Sequence, residues 1–115
     1  MSVDGKGVVY HKPVAIAGSA SGTGAIDLEA LTLVGITKDA TAEGTALTLK
    51  GSATASGTLA AVRNSGGAVS ITVTATTAEY IALDPALTEG LRWVEVDLTT
   101  QTGATTITLH LKRLT

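Results

Sequence analysis

At 115 residues the chain is long enough for one domain with a real core, and its net charge of −2 is scattered. It therefore has no electrostatic footing for nucleic acid or an anionic membrane. Hydrophobic residues make up 44% but aromatics only 3%, with no Phe and no Cys. The core must then be built from Val, Ile, Leu and Ala, and disulfides, thiolate metal sites and a cysteine nucleophile are excluded.

Thr and Ala are abundant. Thr is stiff at χ1 and favours strands, and 13 Gly against 2 Pro call for many turns. The composition is all-β. Residues 1–7 (Met-Ser-Val-Asp-Gly-Lys-Gly) are expected to form a flexible arm ahead of a single domain over 8–115. They show no basic region followed by an apolar run, so no signal peptide is expected. No apolar run approaches the roughly 20 residues of a membrane helix.

Val8 to Ile16 is a strand candidate interrupted by Pro13. Proline lacks a ladder donor, which puts this segment on a sheet edge or bends it. Gly18 to Gly24 is a flexible loop. Ala25 to Leu28 and Leu31 to Thr37 follow as two short strands or one bent one, with Leu31, Leu33 and Gly35 on one face. Lys38 to Gly44 is polar and loop-like. Leu47 and Leu49 point one way, Thr48 and Lys50 the other.

Gly51 to Gly57 is small and polar. Leu59 to Arg63 alternates without declaring its buried face, and Asn64-Ser65-Gly66-Gly67 is a turn between strands. Val69, Ile71 and Val73 against Ser70, Thr72 and Thr74 form the clearest half-buried strand.

Tyr80, Ile81 and Leu83 predict another strand. Asp84-Pro85 opens a turn in which Pro presets φ, Ala86 to Glu89 has room for one helical turn, and Gly90 is placed to end it. Leu91 to Leu98 predicts a strand around Trp93 whose apolar set changes phase: Leu91 and Trp93 on one face, Val94, Val96 and Leu98 on the other. Period two cannot carry both sets into one core without a bulge, unless a partner covers the second face. Gln101 to Ala104 is a turn, and Ile107, Leu109 and Leu111 mark the last strand. About eight short strands without a substantial helix predict a two-sheet β-sandwich closed in jelly-roll or Greek-key fashion. Its expected core holds Val69, Ile71, Val73, Ile81, Leu83, Ile107, Leu109 and Leu111.

Residues capable of chemistry are few. His11 and His110 lie far apart in sequence with no metal-ligand spacing, and His110 falls on the solvent side of its strand. No Ser stands in a Gly-x-Ser-x-Gly elbow, and Gly18 to Gly24 lacks the Gly-Lys-Ser/Thr ending of a phosphate loop. Glu95 and Asp97 share one strand face about 7 Å apart. That is a spacing open to a carboxylate pair or weak Ca²⁺ binding, but a solvated face paired with Arg92 or Lys112 is the simpler expectation. Tyr80 and Trp93 offer material for a sugar-stacking platform. Neither an enzyme nor a cofactor is expected.

Glu79-Tyr-Ile-Ala-Leu-Asp-Pro-Ala-Leu-Thr-Glu-Gly-Leu-Arg-Trp93 resembles a segment of small structural proteins of tailed bacteriophages, in which Tyr-Ile-Ala-Leu-Asp-Pro is followed by a spacer, Gly, an apolar residue, Arg and an aromatic. Ala25 to Leu28, Leu33 to Ile36, Leu47 to Ser52 and Thr106 to Leu109 match in order. Gly51 to Gly57, with only small residues, departs from that pattern. The resemblance implies a virion component made in the host cytoplasm, decorating or cementing the capsid through contacts with the major capsid protein. By analogy with capsid decoration proteins it implies a homo-oligomer, a trimer. The alternative is a carbohydrate-binding or host-adhesion module attached to a tail or fibre. The residues expected at an interface are Tyr80, Trp93, Val94, Val96 and Leu98.

Overall fold

A computed structural model describes residues 8–18, 22–54, 58–64, 67–99 and 101–113. The expected arm at residues 1–7 lies outside the described residues. In chain order the elements are β1 (Val9–Ile16), β2 (Ile26–Asp27), β3 (Thr32–Lys38), β4 (Ala46–Ser52), β5 (Ala60–Ala61), β6 (Arg63–Asn64), β7 (Gly67–Ala68), β8 (Ser70–Thr72), β9 (Glu79–Ala82), α1 (Pro85–Thr88), β10 (Trp93–Leu98) and β11 (Thr105–Lys112).

The architecture is the all-β sandwich that the alternation predicts. A four-stranded sheet runs β1-β11-β3-β9, and a five-stranded sheet runs β2-β10-β4-β5 with β8 also on β4; β6 and β7 form a small ladder of their own. Every pairing is antiparallel. β5 and β8 lie along the same side of β4, at Lys50–Gly51 and at Ala46–Thr48. β1 is an edge strand, as Pro13 requires.

Inward residues of both sheets meet in one core. Ile16, Leu33, Ile36 and Ile107 of the first sheet and Leu47, Val94, Val96 and Leu98 of the second are all 0% exposed. Each such side chain contributes about 1.5–3 kcal/mol through burial. Of the expected core, Val69, Val73, Ile81, Leu83, Ile107, Leu109 and Leu111 are buried; Ile71 is half-buried at the margin. It sits on a strand of only three residues at the free side of β4.

Two expected phases are corrected. In β3 the inward set is Leu33, Ile36 and Lys38, not Leu31, Leu33 and Gly35. The register against β11 passes from Gly35↔His110 to Leu33↔Leu111, which leaves Val34 as the extra residue of a bulge and reverses parity there. In β10 the ladder with β4 is unbroken from Trp93↔Ser52 to Leu98↔Leu47. The strand begins at Trp93, so its alternation never extends back to Leu91. Leu91 instead lies over Gly51, where a Cβ would come within 2.8 Å of its methyl groups. The chain thus packs the half-buried Leu91 on the same side as the buried Val94 without a bulge in this strand.

The strand–turn–strand segment from Glu79 to Val96 joins the two sheets. Asp84 caps α1 by accepting from the Ala86 amide at 3.0 Å, with Pro85 at the first helical position. Thr88, fully buried, donates its hydroxyl to the Leu33 carbonyl at 2.6 Å, and Gly90 leaves the turn at φ 93°. The Arg92 guanidinium then grips the carboxylate of Asp27, with Nη2 3.0 Å from Oδ2. Asp84, Pro85, Thr88, Gly90 and Arg92 of this segment each have a structural task.

Candidate functional site

His11 and His110 are directly opposite on β1 and β11. Their Nδ1 atoms stand 2.7 Å apart and their rings meet edge to face, with centroids 4.9 Å apart. On the far side of His110, Nε2 lies 2.6 Å from Thr37 Oγ1 of β3. The ring of Tyr80, from β9, tilts against His110 with centroids 5.1 Å apart. One residue from each strand of the sheet converges here.

Register explains the convergence. The row His11–His110–Gly35–Ala82 crosses the sheet, and Thr37 pairs with Tyr80 in the next row. Gly35 has no side chain, so the Tyr80 phenol lies over it, and a Cβ there would collide with the Tyr80 hydroxyl. That space lets Tyr80 reach His110. Partial burial lowers the His110 pKa from its ordinary value, and the neighbouring His11 lowers it further. Sequence spacing gave no hint of the pair, because it depends on antiparallel pairing between strands at opposite ends of the chain.

The outer face of the other sheet is ionic. Glu95 and Asp97 share it as the alternation predicts, but their cation is Lys50 from β4, with Nζ 3.7 Å from each carboxylate. The expected partner Arg92 is committed to Asp27 instead, which holds that carboxyl down at about 2. The Asp97 carboxyl is pushed up to about 6, first by burial and then by its hydrogen bond with Glu95. Gly22 bridges to Asp97 with no room for a Cβ against its Oδ1. Among the described residues, no group of three or more His, Cys, Asp or Glu side chains converges on one point.

The residues expected at an interface separate. Val94, Val96 and Leu98 are 0% exposed inside the core, which corrects their assignment to a contact surface. The sandwich itself accounts for their apolar character. Tyr80 is 61% exposed on the four-stranded sheet, while Trp93 is half-buried on β10 of the five-stranded one. The two rings therefore do not form one platform.

Two functional-looking polar residues went unmarked in the sequence. Lys38, placed in a loop by its polar neighbours, ends β3 and is 0% exposed. Its Nζ donates to the Thr74 and Thr77 carbonyls at 2.5 Å and lies 3.5 Å from Glu79. The available signal was parity: once Ile36 faces inward, Lys38 must follow. Gln101, also buried, donates to the Gly103 carbonyl at 2.8 Å and accepts from the Glu43 amide at 2.7 Å. Compared with known proteins, the chain matches no family model, no curated protein sequence and no solved structure.

Proposed function

We propose that this protein is a structural component of a tailed-bacteriophage virion, seated on the capsid as a homo-oligomer, a trimer by analogy, and bound to the major capsid protein. It adds stability by buried contact area and carries out no catalysis. The observation that carries this reading is the resemblance of Glu79 to Trp93 to phage structural proteins. The sheet-to-sheet connection made by that segment is consistent with a rigid packing module. Additional support comes from the distribution of exposed large apolar residues. Val8 at 44%, Val9 at 40%, Tyr10 at 45% and Tyr80 at 61% all lie at or on the four-stranded sheet. Three of them are consecutive at the start of an edge strand, where main-chain groups are also open to a neighbour.

The test is light scattering of the purified protein followed by cryo-microscopy of virions with and without it. An oligomer whose density sits on the capsid lattice is expected. A monomer that never binds capsids, or a copy number matching a tail ring, overturns the proposal. The alternative of a glycan-binding module loses its shared Tyr80–Trp93 platform, since the rings occupy different sheets. A shift of Trp93 fluorescence on titration with a glycan panel would favour it nonetheless.

A further inference from the structure

We propose that His11 and His110 form a two-imidazole site for a late first-row divalent cation such as Zn²⁺ or Ni²⁺. Two facing Nδ1 atoms 2.7 Å apart cannot both present bare lone pairs; a proton or a metal ion must lie between them. Thr37 prepares His110 for the second outcome as well as for the first. When His110 Nε2–H donates to Thr37 Oγ1 at 2.6 Å, the proton of that ring is fixed on Nε2 and Nδ1 is left as the lone-pair nitrogen. A metal-bound histidine is ordinarily oriented in this way by a partner on its other nitrogen.

The geometric demand is small. Metal–nitrogen bonds of about 2.0–2.1 Å in a tetrahedral arrangement need the two nitrogens about 3.3 Å apart, so the rings must separate by about 0.6 Å. His11 is exposed on an edge strand and has that freedom. On metal entry its Nδ1 proton moves to Nε2, the tautomer changes, and both Nδ1 lone pairs bind the ion. Water fills the remaining positions. Imidazole ligands without thiolate or carboxylate suit zinc, nickel and copper over calcium or magnesium. Such an ion would clamp the edge strand β1 to β11.

Equilibrium dialysis of the untagged full chain against Zn²⁺ and Ni²⁺ tests the site. One ion per chain is expected, with affinity falling at least about tenfold in His11→Asn and in His110→Asn, and about tenfold in Thr37→Val, which keeps both ligands. Nitrogen-15 spectra of the imidazoles in the unmutated chain provide a readout independent of variant folding: Zn²⁺ must shift Nδ1 of both rings. No retained ion, retention unchanged in His11→Asn, half an ion per chain, or no Nδ1 shift each overturns the site.

Discussion

On the outside of the four-stranded sheet, two imidazoles, a threonine and a tyrosine meet, with the tyrosine lying over a glycine. On the outside of the five-stranded sheet, Glu95, Asp97 and Lys50 form an ionic cluster. The charge that belongs to the first sheet is partly hidden beneath it, since Lys38 is fully buried, whereas the Lys50 side chain is 49% exposed. Lys38 and Lys50 thus take opposite sides of two walls built from similar strands. One places its cation inside, to hold the turn between β8 and β9, and the other uses its cation outside, against carboxylates. The lesson is that alternation sets which side a residue takes, and only local backbone demand sets whether a charge is tolerated there.

The largest effect should separate these two lysines. Lys38→Met removes the donor to the Thr74 and Thr77 carbonyls and the cation beside Glu79, and should cost about 3 kcal/mol in urea denaturation. Lys50→Met should cost less than about 1 kcal/mol, because its ion pairs are solvated. Equal costs would erase the contrast.

The next comparison concerns the glycine that makes room on the imidazole face. Gly35→Ala should cost about 1 kcal/mol by pushing Tyr80 off its seat. In a Tyr80→Ala background the same change should cost almost nothing, and a double-mutant cycle measures that difference. Additive effects would show that Tyr80 does not rest on Gly35.

The pH dependences of the two faces should have opposite signs. Asp97, with its folded pKa raised to about 6, contributes stability that is present below the ordinary carboxylate range and is lost as pH rises through about 6. His110, with its folded pKa lowered, contributes stability that is present above the ordinary imidazole value and is lost as pH falls through its folded value. Asp97→Asn should therefore raise stability near neutral pH by on the order of 1 kcal/mol after allowance for solvent screening, and flatten the profile between about pH 4 and 6. The smallest effect belongs to His11→Asn. Stability should change by no more than about 0.5 kcal/mol, while the NMR midpoint of His110 moves back up towards its ordinary value. A His110 midpoint that stays where it was would mean the rings are not in electrostatic contact.

Much of the sandwich was legible because period-two alternation states burial directly. Ile107 and Leu109, or Val69 and Val73, are buried as their alternation predicts. Val94, Val96 and Leu98, by contrast, are misassigned to an interface when Leu91 and Trp93 are counted in the same strand phase. The helical turn was legible too, since Asp84, Pro85 and Gly90 each have a narrow range of favourable backbone positions. What stayed hidden depended on pairing. The bulge at Val34 alters parity with no turn residue to announce it, so Lys38 passed for a loop residue. The His11–His110 pair exists only because β1 lies beside β11, an adjacency set by strand order. Lys50 as the partner of Glu95 and Asp97 is hidden for the same reason.

That adjacency also dictates the order in which the molecule can be put together. β11 lies between β1 and β3, with Val9 opposite Lys112. As the polypeptide leaves the ribosome, β1 emerges first of the described strands yet has no hydrogen-bonded neighbour until β11 emerges last. Its apolar residues and open edge stay available to other nascent chains for the whole of that interval. The sheet closes only after synthesis has passed Lys112, in a slow step of long loop closure. A chain stopped before Thr105 would leave two unsatisfied strands flanking a gap, and such fragments are expected to aggregate instead of folding in part.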